Sequence, residues 1–267
     1  MNNLLKVLSH NDAFKAFATK SNQLGNLNEV EESLMIAATY QKQKESMLIV
    51  KHNLYTAQKL YERLSPLLKD KVLLFSVEES MRIEALSQNN EVVANKVEIL
   101  YRLLHEDDLV VITHVGAYTK FLPDPKVFAE HIIELKIDQE IGYDSLKQTL
   151  FEAGYEKVSY VDQPLTYATR GGIIDVFSMN YDLPIRIEFF DNVIDSIRFF
   201  DISTKKTVKQ IQEATIICAS DILFSQAEET RIINQLSTKF ADDELLEDIK
   251  ERIEKKAFQP ADRALYS

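Results

Sequence analysis

The sequence predicts an α/β fold, a parallel-sheet domain interrupted by a small α+β insert. Three observations predict it. Short continuous apolar runs alternate with helix-spaced segments through the first 122 residues, two prolines in Leu122-Pro-Asp-Pro-Lys126 break that rhythm, and from Val158 to about Val208 the chain becomes a series of closely spaced short strands. Continuous apolar runs suit strands covered on both faces of a parallel sheet, and short strands joined by turn residues suit an antiparallel one.

Taken in order, Leu4, Leu5, Leu8, Phe14 and Phe17 are spaced for a first helix, and a second is expected from Val30 to Gln43. Met47-Leu48-Ile49-Val50 reads as a strand buried on both faces. Asn53-Leu54-Tyr55 opens a helix that turns Leu60, Tyr61 and Leu64 to one side. Val72 to Phe75 is the next strand, a helix follows near Glu91 to Leu104, and Leu109 to Ile112 gives a third strand. The domain boundary is placed at the two prolines. Beyond it, a strand is expected from His131 to Ile137 and a helix from Tyr143 that ends at Gly154. Strand character returns at Ala214-Thr215-Ile216-Ile217, and two polar helices cover Gln226–Phe240 and Asp243–Lys256. The expected organisation is therefore residues 1–122 as the first part of the α/β domain, 123–214 as the insert and 215–267 as an incomplete return to the first domain.

Composition narrows the function. The chain has 267 residues, 45% of them apolar, enough for a hydrophobic core and more than one domain. No run approaches the length of a membrane span, and the first residues lack the order of a signal peptide, so the expected location is the cytoplasm, with no membrane partner. A net charge of −11 argues against a chain whose main task is gripping phosphate backbones. The one cysteine, Cys218, excludes an internal disulfide and is expected in a buried strand; the five histidines have no metal-ligand spacing, so no metal site is expected.

No catalytic constellation is legible. A phosphate loop needs glycines that let backbone N–H groups wrap the anion and a lysine that reaches its outer phosphates. Before the helix near Val30 this chain has instead GNLNEVEES, residues 25–33, without Gly-Lys-Ser/Thr and with Glu29, Glu31 and Glu32 at the positive end of the helix. Glu78 and Glu79 follow a strand but read as the first turn of a helix. Gly-x-Ser-x-Gly and Gly-x-Gly-x-x-Gly are both missing from a chain of only six glycines.

The informative stretch runs from Ala168 to Phe200. It reads as strand, Gly171-Gly172 loop, strand, then two strands joined by a type I′ turn at Asp191-Asn192. The two-residue period sends Ile185, Ile187 and Phe189 to one face and Arg186, Glu188 and Phe190 to the other. An aromatic ring and an arginine on one outward face have the composition of a protein-binding hot spot, which Arg170 joins from the neighbouring strand end. The same pattern also fits plain exposed sheet residues, a phenylalanine that closes the core and a turn at Gly171-Gly172, and spacing does not choose between the two.

TRGGIIDVF and PIRIEFFDNVIDSIRFFD resemble the segment shared by bacterial transcription-repair coupling factors and the excinuclease subunit UvrB. SLMIAATYQKQKESMLIVKHNLYTAQKLYERL, KVLLFSVEES, LVVITHVGAYTKFLPDP and IELKIDQEIGYDSLKQTLFEAGYEKVSYV resemble the coupling factor in the same order, so the likeness covers essentially the whole chain. It implies a degenerate helicase-type, P-loop-like domain whose phosphate loop is lost, where UvrB keeps an intact one, interrupted by an insert that docks the excinuclease subunit UvrA. The docking residues it implies are Arg170, Arg186 and Phe190, with Gly171, Gly172 and Glu188 in support. It further implies that RNA polymerase, DNA, ATP and magnesium belong to other parts of the parent protein, leaving this chain with no cofactor and no catalytic residue of its own. FQPADRALYS departs from the family pattern by Pro260-Ala261 in place of Pro-Gly. A nucleotide-dependent helicase or hydrolase domain, or an autoinhibitory clamp on the parent motor, is the alternative.

Overall fold

The computed structural model describes residues 25, 27–77, 90–239, 244–256 and 262. The helix expected at Leu4–Phe17, the pair Glu78 and Glu79, and nearly all of FQPADRALYS lie outside them. The described residues form two compact units, one of residues up to 77 with 105–120, the other of residues 90–104 with those from 121 onward.

The first unit is a parallel sheet. Helix α1 (Glu29–Gln43) leads to strand β1 (Met47–Lys51), helix α2 (Leu54–Leu68), strand β2 (Val72–Phe75) and, after α3 (Asn90–His105), strand β3 (Val110–His114) and the short α4 (Val115–Tyr118). The strand order is β1-β3-β2, with Met47 and Val72 both level with Val110. Helix α2 starts because the Asn53 side chain accepts the Thr56 N–H at 2.9 Å, and it buries Leu60 and Leu64 as the spacing predicts. Those leucines, with Ile36 and Tyr40 of α1, cover the sheet face that carries Val110 and Ile112. The Tyr40 hydroxyl donates to Asp108, and burial together with that carboxylate pushes its pKa up to about 12.

Strand β1 departs from the expectation of burial on both faces. It is an edge strand, and only Met47 and Ile49 turn to the helices, while Leu48 and Val50 are 58% and 40% exposed. Strand β3, at the centre, is buried at every residue, and β2, at the other edge, keeps Val72, Leu73 and Phe75 buried, so it is the outer face of β1 alone that is left uncovered among the described residues.

The second unit is built on a six-stranded sheet. Helix α5 (Pro125–Glu130) precedes β4 (Ile133–Lys136) and α6 (Tyr143–Glu152); then come β5 (Glu156–Lys157), β6 (Thr166–Arg170), β7 (Ile173–Val176), β8 (Ile185–Phe190), β9 (Val193–Phe200) and β10 (Thr207–Ile211). The order is β10-β9-β8-β7-β6-β5, antiparallel apart from the β5–β6 pair. Leu146 and Leu150 of α6 pack with Ile174, Ile185, Ile187, Ile194 and Ile197 from one sheet face. Gly154 ends the helix at φ +87°, and a Cβ there would sit 2.8 Å from that of Ser220, so the turn requires glycine.

Strand β11 (Glu213–Ile216) pairs antiparallel with β4, Thr215 facing Glu134. Residues from 215 onward, expected to return to the first domain, thus group with the antiparallel sheet. Cys218 is buried just after β11 instead of within it, and burial pushes its thiol pKa up. Inside the unit, Lys96 of α3 meets Asp221 at 2.9 Å with both side chains almost fully buried. Helices α7 (Gln226–Lys239) and α8 (Glu244–Glu254) follow, packing Ile232 and Ile253 around Ile222 and Phe224.

Candidate docking surface

Register explains which side chains share the outer face of the six-stranded sheet. Arg170 is level with Ile173, Ile173 with Glu188, and Glu188 with Ser196. In the next row Ala168 faces Asp175, Asp175 faces Arg186, and Arg186 faces Arg198. Cross-strand partners point to one side of a sheet, so Arg170, Arg186 and Glu188 lie on one face, as the two-residue period predicts.

Two turns close this end of the sheet. Gly171 and Gly172 both have positive φ, +51° and +81°, the combination a type I′ hairpin demands. The N–H of Phe189 donates to the Gly172 carbonyl at 2.9 Å, tying that turn to β8. At the other turn only Asp191 is left-handed, at φ 56°. The type I′ turn expected at Asp191-Asn192 is therefore found at Gly171-Gly172. Pairing also slips between Glu188 and Phe189, where β8 advances from Ser196 to Ile194 on its partner. The extra residue, Asp195, makes a bulge in β9 that bends the strand end.

Phe189 and Phe190 separate across this bend. Phe189 packs edge-on to Tyr143, ring centres 5.6 Å apart, and joins the core. Phe190 is 79% exposed. Arg170, at the end of β6, is exposed too and takes part in none of the ion pairs formed among the described residues.

Arg186 is in a different state. Its guanidinium holds Asp175 with two bonds of 2.7 Å and lies 4.7 Å from the centre of the Phe200 ring, so its side chain is only 21% exposed. The Asp175 hydrogen bonds raise its pKa above the ordinary arginine value. Arg198 opposite would repel it, but Arg198 is itself bound by both oxygens of Glu188, one at 2.7 Å. Hydrogen bonding from Arg198, and next from Ser196 at 2.9 Å, holds the Glu188 carboxyl below its usual range. The sequence reading missed Asp175, Ser196 and Arg198; the signal was present, because IIDV and SIRF place charges on the same two-residue period as IRIE.

The arrangement offers no bond chemistry. Its fixed guanidinium planes, an unpaired arginine and a projecting ring at the stiff end of a sheet suit recognition of another protein. Residues 133–221 match the family described as the UvrB interaction domain. The match covers about a third of the chain. Transcription-repair-coupling factors are similar over most of its length: that of Bacillus subtilis (strain 168) is 28% identical over 90% of this chain, and those of Staphylococcus haemolyticus (strain JCSC1435) and Staphylococcus aureus (strain USA300) are 29% and 27% identical over 80% and 89%. The chain spans about a fifth of the length of each, 21%, 18% and 20%. The matched segment, 133–221, takes in β4, the six-stranded sheet and β11, and all the candidate docking residues fall inside it.

The start of α1, where a phosphate loop was sought, has internal partners. Asn28 Oδ1 accepts the N–H groups of Val30 and Glu31 at 3.0 Å, and Glu31 accepts the Asn28 N–H at 2.9 Å, a complete capping box. Glu29 pairs with Arg63, and Glu32 with Lys51 at 2.8 Å. Among the described residues no cluster of histidine, cysteine and carboxylate groups forms a metal site, and no helix is long and apolar enough to cross a membrane.

Proposed function

We propose that the chain is the N-terminal part of a transcription-repair coupling factor and docks the excinuclease subunit UvrA through Phe190, Arg170 and the exposed edge of Arg186. In the parent protein this brings nucleotide-excision repair to a stalled RNA polymerase in the cytoplasm, while DNA translocation and ATP use belong to regions beyond this chain. The observation that carries the reading is Phe190, four-fifths exposed on a strand end that the Gly171-Gly172 turn and the β9 bulge hold in place. Burying such a ring at an interface contributes about 1.5–3 kcal/mol. Gly171 and Gly172 shape the turn, and Glu188 fixes Arg198 beneath the surface.

Biolayer interferometry with purified UvrA tests it. Phe190→Ala should weaken binding about thirtyfold, a loss of about 2 kcal/mol, and Arg170→Ala should weaken it in the same direction. Unchanged affinity in both variants would remove this surface from consideration. The proposal also includes loss of the phosphate loop, since the N-terminal donors of α1 are met by Asn28 and its first turn is acidic. Titration calorimetry with ATP and magnesium should give no binding heat; saturable micromolar binding would favour a nucleotide hydrolase instead.

A further inference from the structure

At the opposite end of β7 and β8 from Phe190, the loop between these strands wraps a cleft of about 610 Å³. Its walls are Phe177, Met179, Tyr181 and Phe199, and it carries the carboxylates of Glu98, from α3, and Asp182. Among the described residues no lysine or arginine lines it. The side chains of Glu98 and Asp182 take part in none of the ion pairs or side-chain hydrogen bonds formed among the described residues.

The loop is held rigidly. Asn180 donates to the Thr215 carbonyl at 2.7 Å, the Thr215 N–H donates to the Tyr181 hydroxyl at 3.0 Å, and the Ile217 N–H donates to Ser178 Oγ at 3.1 Å. Tyr181 stands edge-on to Phe199 with ring centres 5.1 Å apart. The walls are therefore in place before anything binds, so a ligand need not order them.

Aromatic faces beside carboxylates form a site for a cation with a flat apolar surface. Arginine meets this description better than lysine, because its guanidinium stacks on rings and presents paired donors to carboxylate oxygens. The volume lies within the range of about 300–1,000 Å³ typical of ligand pockets and exceeds what one side chain fills, which leaves room for the neighbours of that arginine in an extended segment. The charge of −11 favours approach of a basic partner. We infer that this cleft takes an arginine side chain presented by an extended segment of a partner protein. It is a second docking site, independent of the surface at Phe190.

Fluorescence anisotropy on the full chain tests this with labelled acetyl-Ala-Leu-Arg-Leu-Ala-amide and its citrulline counterpart, which keeps the shape without the charge. The arginine peptide should bind saturably, citrulline should lower its affinity about tenfold or more, and the double variant Glu98→Gln, Asp182→Asn should lower it similarly. Phe190→Ala should leave it unchanged, which separates this site from the UvrA proposal. Equal binding of the two peptides to the native chain would overturn the inference whether or not the double variant folds. So would absence of saturation by about 1 mM, unchanged affinity in a double variant with native circular dichroism, or displacement of the peptide by spermidine at lower concentration, which would make the cleft a polyamine site.

Discussion

Replacing Arg186 by alanine is expected to weaken the antiparallel unit itself, apart from any partner. The Arg186 and Asp175 side chains are 21% and 17% exposed and share two 2.7 Å bonds. An exposed ion pair contributes about 0–1 kcal/mol, whereas breaking a fully buried one costs about 3–5 kcal/mol because a charge is stranded. This pair lies between those limits, and loss of the stacking on Phe200 adds about 0.5–1 kcal/mol. Arg186→Ala should therefore cost about 2.5 kcal/mol, and Asp175→Ala about 2 kcal/mol. The double variant strands no charge and should fall short of the sum by about 1.5 kcal/mol. Urea unfolding followed by circular dichroism is the assay, since the chain has no tryptophan. With a slope of about 2 kcal/mol per molar, the Arg186→Ala midpoint should fall by about 1.2 M. A coupling below about 0.3 kcal/mol would show that the pair is decorative and refute the reasoning. A loss of UvrA binding in Arg186→Ala carries weight only beside this measurement.

Other outcomes are expected on the same grounds. Phe190→Ala should change stability by less than about 0.5 kcal/mol in the same urea assay, since the ring touches little of its own chain. Gly154→Ala should cost about 2–3 kcal/mol, from a positive φ and a Cβ pressed on Ser220; a neutral midpoint would mean that the turn relaxes. Glu188 has a folded pKa below its unfolded one, so its stabilisation is present above the ordinary carboxylate range and disappears as pH falls through the folded value. Urea midpoints of Glu188→Gln and the parent should converge on acidification from neutral pH; a constant gap would count against the Arg198 bond as the cause. Cys218 should resist a thiol reagent in the native chain and react on unfolding, because it is fully buried and its pKa is raised.

Most elements were legible because their cause is local. The spacing of Leu60 and Leu64 specifies α2, the Asn53 cap its start, and Gly154 the turn after α6. What escaped was decided by packing and pairing. VLLF and MLIV are both apolar runs at sheet edges, yet Val72, Leu73 and Phe75 are buried while Leu48 and Val50 are exposed, a difference set by what covers each strand's outer face and not by its letters. The even period of β8 put Arg186 on the outer face correctly, yet whether it reaches into solvent depends on Asp175, eleven residues away. Likewise, alternation put Phe190 on the outer face, but its 79% exposure at the last position of β8, beside a bulge in the neighbouring strand, was not legible from spacing.

The pairing of Lys96 with Asp221 has a consequence for modularity. The two residues are 125 positions apart, one on α3 and one beyond β11, and both side chains are almost fully buried. A fragment cut at residues 133–221 would keep the acid and discard Lys96, and breaking a buried ion pair by removing one partner is costly. Grafting the sheet into another protein therefore means moving two separate lengths of chain together, or replacing Asp221 with a neutral residue at the same time. The same constraint acts on inheritance: any crossover between residues 97 and 220 would separate the two partners, whereas a short insertion in the turn at 201–206 would lengthen that turn and keep both in one chain.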